Sequence, residues 1–335
     1  MDRAAVEKAM TWLERSGNQL LTIQLVSPHP SRASSVAVPP LFYAQSFRWQ
    51  HVYFHAEMSS IRDLITVKGK LPSLITLGLD LYRVRGSPKV PLEDTFSEAP
   101  CLRKLVIGRQ FFASYKQESL KLPWTQLTTC MLPVFGKSFR FIQQMHNLVQ
   151  LTATLTLVGG PQITPGSLAT LPCMRLLAIR IDTHCTRYPD SADIGRFLDR
   201  LKTPVLHTLS IRGPPHDGPA CGPQLVAFLS RTENSVEAMS LENAHISDED
   251  MAICIQMTPS LISLELAEST QTPGRINSNL LLDYLAWPGF RGGKPVVQNL
   301  RYLSIQGIYG LCNLQKLNEV RKLRDTKISR PCDAA

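Results

Sequence analysis

The sequence predicts an α/β solenoid, a curved parallel sheet closed by helical or irregular crossovers. Two observations predict it. One apolar spacing, plainest in Leu74-x-x-Leu77-x-Leu79, returns along most of the chain, and five of its copies carry proline two residues ahead of the first apolar position: Pro72, Pro100, Pro172, Pro204 and Pro259. The other copies of the spacing are Leu20/Ile23/Leu25, Trp49/Val52/Phe54, Leu102/Leu105/Ile107, Leu127/Cys130/Leu132, Met174/Leu177/Ile179, Leu206/Leu209/Ile211, Val236/Met239/Leu241, Leu261/Leu264/Leu266 and Leu300/Leu303/Ile305, with Leu148/Leu151/Ala153 a weaker one. Successive first positions are 29, 25, 28, 25, 21, 26, 32, 30, 25 and 39 residues apart.

That spacing and period are those of leucine-rich repeats. In an extended segment side chains alternate between faces, so the last two apolar residues of each copy share one side and the residue between them takes the other. A single such strand buries too little to fold alone. Stacked in parallel, the strands share one core, and the rest of each repeat is the return crossover. Proline fixes φ and lacks an N–H, which suits a turn entering a strand.

The crossovers can be read in order. Residues 1–17 form a capping helix, with Ala5, Val6, Ala9, Met10 and Leu13 at three- and four-residue steps and Gly17 suited to end it. Residues 18–310 form the repeats, and 311–335 a second capping helix and basic tail, on the stripe Leu311, Leu314, Leu317, Val320 and Leu323. Pro28 to Pro40 and Tyr82 to Pro91 read as loops. Helical crossovers are expected at 59–65, 139–145, 194–201, 225–230, 251–257 and 277–287. Asp248-Glu249-Asp250 suits a helix N-terminus better than a metal.

Composition narrows the function. At 335 residues, 44% hydrophobic and 19% charged, the chain is an ordered protein, and repetition accommodates its length in one elongated domain. No apolar run reaches the roughly 18 to 20 residues that span a bilayer. The opening Met-Asp-Arg-Ala-Ala-Val lacks an apolar signal core, so an intracellular, cytoplasmic or nuclear protein without membrane contact is expected. Its eight cysteines never form C-x-x-C, which fits reduced structural thiols rather than zinc ligands. The net charge of +9 invites an acidic partner. The densest basic run, Lys316 to Arg330, is interrupted by Glu319 and Asp325 and reads as a solvated helix face rather than a nucleic-acid site.

Catalytic patterns are missing. His51 and His55 flank Val52 and Phe54 on a predicted strand, not a helix, and His184-Cys185 has no evident partners. Gly292-Gly293-Lys294-Pro295 lacks the spacing of a phosphate loop. A non-enzymatic protein without cofactors or metal is expected, and recognition is the remaining role. Alternation places Tyr53, His55, Asp80, Lys104, Arg180, Arg212, Glu242, Glu265 and Tyr302 on the face opposite the core, which makes them the candidate partner-binding residues. Arg180 and Arg212 fall on adjacent strands. They either await an acidic group of a partner or are balanced by Glu242 on the next strand, and the balance is the simpler reading.

Three phrases carry a resemblance. Trp12-Leu13-Glu14-Arg15-Ser16-Gly17-Asn18 with Leu21-Thr22-Ile23-Gln24-Leu25, Phe96-x-x-Ala99-Pro100-Cys101-Leu102-Arg103-Lys104-Leu105 and Leu122-Pro123-Trp124-Thr125-Gln126-Leu127-Thr128 are similar to phrases of F-box/leucine-rich-repeat proteins of mushroom-forming fungi. The resemblance implies repeats that select a protein target for a cullin-RING ubiquitin ligase, with an F-box docking on a Skp-type adaptor. The F-box pattern itself is missing, so the adaptor is expected only where an F-box is restored. The alternative is a ubiquitin-independent scaffold for an acidic protein partner. The chain also lacks the asparagine that many such repeats carry three residues after the last apolar position, where Tyr82, Gln110, Asp182, Pro214, Ala244 and Ser269 stand.

Overall fold

A computed structural model describes residues 3–26, 40–82, 90, 92–109, 111, 120–134, 139–155, 168–181, 191–214, 221–268, 278–286, 297–306, 320 and 327–329. The chain divides into two compact units, the first of residues 1–133 with 137–148, the second of residues 134–136 with 149–335. The first holds strands β1 (Leu21–Val26), β2 (Trp49–Glu57), β3 (Thr76–Tyr82), β4 (Lys104–Ile107) and most of β5 (Thr129–Val134), paired in that order and all parallel. The second holds β6 (Gln150–Leu155), β8 (Leu176–Ile181), β10 (Thr208–Arg212), β11 (Ala238–Glu242), β12 (Ser263–Ala267), β13 (Tyr302–Gln306) and β14 (Lys327–Ser329), again parallel and in order. Within each unit, parallel strands laid side by side in chain order and joined by crossovers make the α/β leucine-rich-repeat architecture.

The apolar spacing sets the register. Val52 faces Leu77 and Leu77 faces Leu105, as Leu177, Leu209 and Met239 align in the second unit. From Trp49 onward every first, second and third position of the spacing is at most 5% exposed, the weak copy Leu148/Leu151/Ala153 included. Each repeat therefore adds three rungs to one apolar column, and none would be stable without its neighbours. The first copy departs from the expectation. Leu20 is 51% exposed while Leu21 is 1%, and Leu21 pairs with Trp49 across a register shift, so the first repeat is one residue shorter at its entry.

Turns and carbonyls lock each strand's start. In the five repeats with proline, the N–H of the first apolar residue bonds the carbonyl three residues back, Leu74 to Leu71, Leu102 to Ala99, Met174 to Leu171, Leu206 to Thr203 and Leu261 to Thr258. The five prolines stand second in these turns, where their fixed φ is already the one required. The residue three back is itself buried in each case, a further core position that the three-residue spacing does not reveal. One residue beyond the first apolar position, a carbonyl accepts two N–H groups of the next repeat. Ile75 O takes Arg103 N and Lys104 N at 2.9 and 3.0 Å, and the pattern recurs at Arg103, Val149, Arg175, His207, Glu237 and Ile262.

The crossovers differ in kind. Helix α1 (Arg3–Arg15) ends before Gly17, whose φ of +52° is left-handed, as the glycine there predicts. Buried Arg48 ties its end to the next repeat, donating to Ser16 Oγ at 2.5 Å, Gln19 O at 2.8 Å and Gln45 Oε1 at 3.0 Å. The segment expected as a helix at 59–65 is a 3-10 helix over Met58–Val67, broken at Ile61. The first unit also has short helices α2 (Pro40–Ala44) and α3 (Phe139–Ile142). In the second, α4 (Ser191–Leu198), α5 (Gly222–Leu229), α6 (Asp248–Gln256) and α7 (Ser278–Ala286) pack one on the next. A small parallel pair not anticipated, β7 (Ala169–Thr170) with β9 (Leu201–Lys202), ends the expected helix at Leu198 instead of 201. The loops at 28–39 and 83–91, the stripe from Leu311 and the Gly292-Gly293-Lys294 segment lie outside the described residues apart from Val90 and Val320, both buried. At the basic run's end, Lys327 stands on β14, a strand, not on a helix face.

Candidate recognition surface

Alternation leaves three outward positions on a strand, and register stacks them into rows across each unit. In the first unit β2 presents His51, Tyr53 and His55. Each meets its neighbour on β3. His51 Nδ1 lies 2.9 Å from Thr76 Oγ1, and His55 Nδ1 lies 2.9 Å from Asp80 Oδ2. The Tyr53 ring lies over Gly78, where a Cβ would collide with it. Asp80 in turn leans over Gly108, so two glycines make the space in which two candidate residues lie flat. Tyr82 closes the cluster with its ring 6.2 Å from that of His55. Lys104 stands exposed in the row of Thr76 and Thr129, without an ion pair among the described residues.

In the second unit Arg180, Arg212 and Glu242 form one row. Arg212 Nη2 is 2.9 Å from Glu242 Oε1, so the balance expected from the sequence exists for Arg212. Arg180 is exposed and makes no hydrogen bond or ion pair among the described residues. Glu265 belongs to the middle row, between Ser240 and Ser304, and Tyr302 to the first, beside Ser263. The nine candidates thus share a face within each unit but not one patch: Tyr53, His55 and Asp80 gather in the first, Arg180, Arg212 and Glu242 in the second, and Lys104, Glu265 and Tyr302 stand apart.

Sequence reasoning passed over several members. His51 and Thr76 follow from the same alternation as Tyr53 and Asp80. Gly78 and Gly108, small residues on or just past strands, signal close approach of a neighbour. Tyr82, which by spacing only marks a lost asparagine site, joins the cluster through its ring. At the rim, His207 Nδ1 and Glu237 Oε1 are 3.4 Å apart on successive repeats.

Among the described residues no group of His, Cys, Asp and Glu is placed to hold a metal, and no helix is long and apolar enough to cross a membrane. Burial pushes the Cys221 and Cys254 thiols up to about 12 and raises that of Cys130 further, so the three stay protonated inside the core. The acidic triplet caps a helix: Ser247 Oγ accepts from Asp250 N at 3.1 Å and donates to Asp250 Oδ2 at 3.0 Å. Charge is uneven between the units. Residues 1–148 hold 18 Lys and Arg against 10 Asp and Glu, residues 149–335 hold 18 against 17, which moves the basic excess away from the C-terminus.

No family model matches the chain, and no curated protein matches it. Among solved structures, the leucine-rich-repeat-containing protein LegL7 from Legionella pneumophila is similar at 15% identity and a TM-score of 0.42, over 85% of this chain and 82% of that one. A leucine-rich-repeat protein from Leptospira interrogans is similar at 13% identity and a TM-score of 0.28, over 88% and 81%. The repeat architecture of this chain rests on its own strand register and buried columns.

Proposed function

We propose that the chain is a protein-recognition module that reads its partner with the outward strand faces and their rims, and that it performs no bond-making step. One observation carries this reading: polar and aromatic side chains stand in register rows on those faces, and Arg180, beside a balanced Arg212–Glu242 pair, keeps its charge unanswered. An exposed cation next to another cation is unfavourable for folding and useful for binding. Rigid strands hold such rows in place before a partner arrives, which lowers the ordering cost of association.

A photo-activatable residue placed at Lys104 or Tyr302 tests the reading against one at exposed Glu249 on α6. Cross-links to protein in cells are expected from the two strand positions and not from the helix. The reverse pattern sinks the reading.

The finer reading, the substrate-selecting part of an F-box ligase subunit, is supported by the sequence phrases alone. Of these, Leu122-Pro123-Trp124 serves the core, with Trp124 stacked on Phe141 at 4.5 Å, whereas Trp12 is 51% exposed. Co-purification of the chain with a Skp-type adaptor and cullin, with and without an F-box fused ahead of it, decides that reading. Targets captured without adaptor in both formats leave the ubiquitin-independent scaffold, which the basic excess of residues 1–148 favours by inviting an acidic partner.

A further inference from the structure

We infer that the outward face of the second unit binds an extended peptide segment bearing an acidic and a basic side chain four to five residues apart, the acid over Arg180 and the base over Glu265. The inference rests on the recognition reading and narrows it to one ligand chemistry. Arg180 on β8 and Glu265 on β12 are both exposed, and neither makes a hydrogen bond or ion pair among the described residues. Between them Arg212 and Glu242 answer each other at 2.9 Å. Among the described residues the face therefore leaves one positive and one negative charge open, on the two sides of that pair.

Register sets their separation. β8, β10, β11 and β12 are consecutive neighbours, so the two residues are three strand spacings apart, and Arg180 lies two residues further along its strand than the row of Glu265. At about 4.8 Å per strand and 3.3 Å per residue the distance is roughly 16 Å, the reach of about four to five extended residues. The row leading to Glu265 runs through Ala178, Ser210 and Ser240 on adjacent strands. These small side chains leave the sheet open to a crossing backbone, and the hydroxyls of Ser210 and Ser240 offer it hydrogen bonds. A segment with the charges in the matching order gains attraction at both ends, whereas the opposite order meets repulsion at both. The two open charges thus set direction as well as affinity.

Random peptides displayed on phage and selected on the full chain test this. Selected peptides are expected to share an acid and a base four to five residues apart. Arg180→Glu and Glu265→Lys should each weaken a selected peptide at least about tenfold, and the double variant should bind the same peptide with its acid and base exchanged. Glu249→Gln, on exposed α6, should change nothing, and thermal melts by circular dichroism establish that each variant is folded. Peptides that bind regardless of Arg180→Glu and Glu265→Lys overturn the inference while leaving the recognition reading intact. Failure to select any peptide overturns it too, and cross-linking from Lys104 and Tyr302 then decides recognition separately.

Discussion

The same strand recipe meets two different crossovers in the two units. In the second, α5 and α6 bury Leu225, Phe228 and Leu229, and Met251, Ala252, Cys254 and Ile255, at three- and four-residue steps that suit 3.6 residues per turn. The crossover after β2 buries Met58, Ile61, Leu64 and Val67, each three residues after the last, and the chain winds as a 3-10 helix with three residues per turn. Length does not separate them, because the steps from Trp49 to Leu74 and from Val236 to Leu261 are both 25 residues. Capping separates them further. Ser247 and the acids behind it open α6, whereas Glu57 makes no side-chain cap bond. The strand spacing fixes the fold, and the period and cap of the crossover choose its local winding.

Core truncation is the strongest way to break this comparison. Leu77→Ala in the first unit and Leu209→Ala in the second should each cost about 2–5 kcal/mol, since both are fully buried. Hydrogen exchange followed by mass spectrometry should show protection lost mainly in the unit that carries the change. Equal loss in both would make them one cooperative block. Gly213→Ala comes next, at about 1–3 kcal/mol, because its Cβ would strike the backbone carbonyl of Asn243. Gly108→Ala should fall in the same range in a urea titration, since the Asp80 carboxylate can swing away at the expense of its His55 bond but the Asp80 Cβ, also in the way, moves only with its strand.

Ser247→Ala should remove about 1 kcal/mol and part of the α-helical circular dichroism signal, through the lost bond to Asp250 N. A fall as large as that from Leu209→Ala would mean that the cap organises more than its own helix. Smallest is Arg212→Ala, under about 1 kcal/mol in urea, because Arg212 and Glu242 are well exposed and water screens the pair. A larger loss would give the row a structural rather than a binding role.

Much of this was legible in the residues. The three-position spacing located every strand of the two units up to β13 except the short β7 and β9, and the five prolines marked five of the turns. Leu20 misled because Leu20 and Leu21 are chemically alike, and only pairing with Trp49 decides which one turns inward. The three-residue step from Met58 to Val67 was visible but shares its positions with an α-helical stripe over so short a run. On the surface, Arg212 with Glu242 followed from their places in adjacent repeats. His55 with Asp80 had the same warrant, yet the fit of Tyr53 over Gly78 is a matter of side-chain direction, which spacing does not encode. The short pair β7 and β9 has no apolar alternation to announce it.

The doubly accepting carbonyl at the head of seven repeats has a bearing on how such a chain can change over time. Every junction presents the same socket, a main-chain oxygen, and the same plug, two main-chain N–H groups, whatever side chains stand there. Ile75, Arg103, Val149, Arg175, His207, Glu237 and Ile262 share nothing but that position. A whole repeat can therefore be duplicated, lost or exchanged without redesigning the joint, and the rows of surface residues can be reshuffled like tiles while the frame beneath them stays the same.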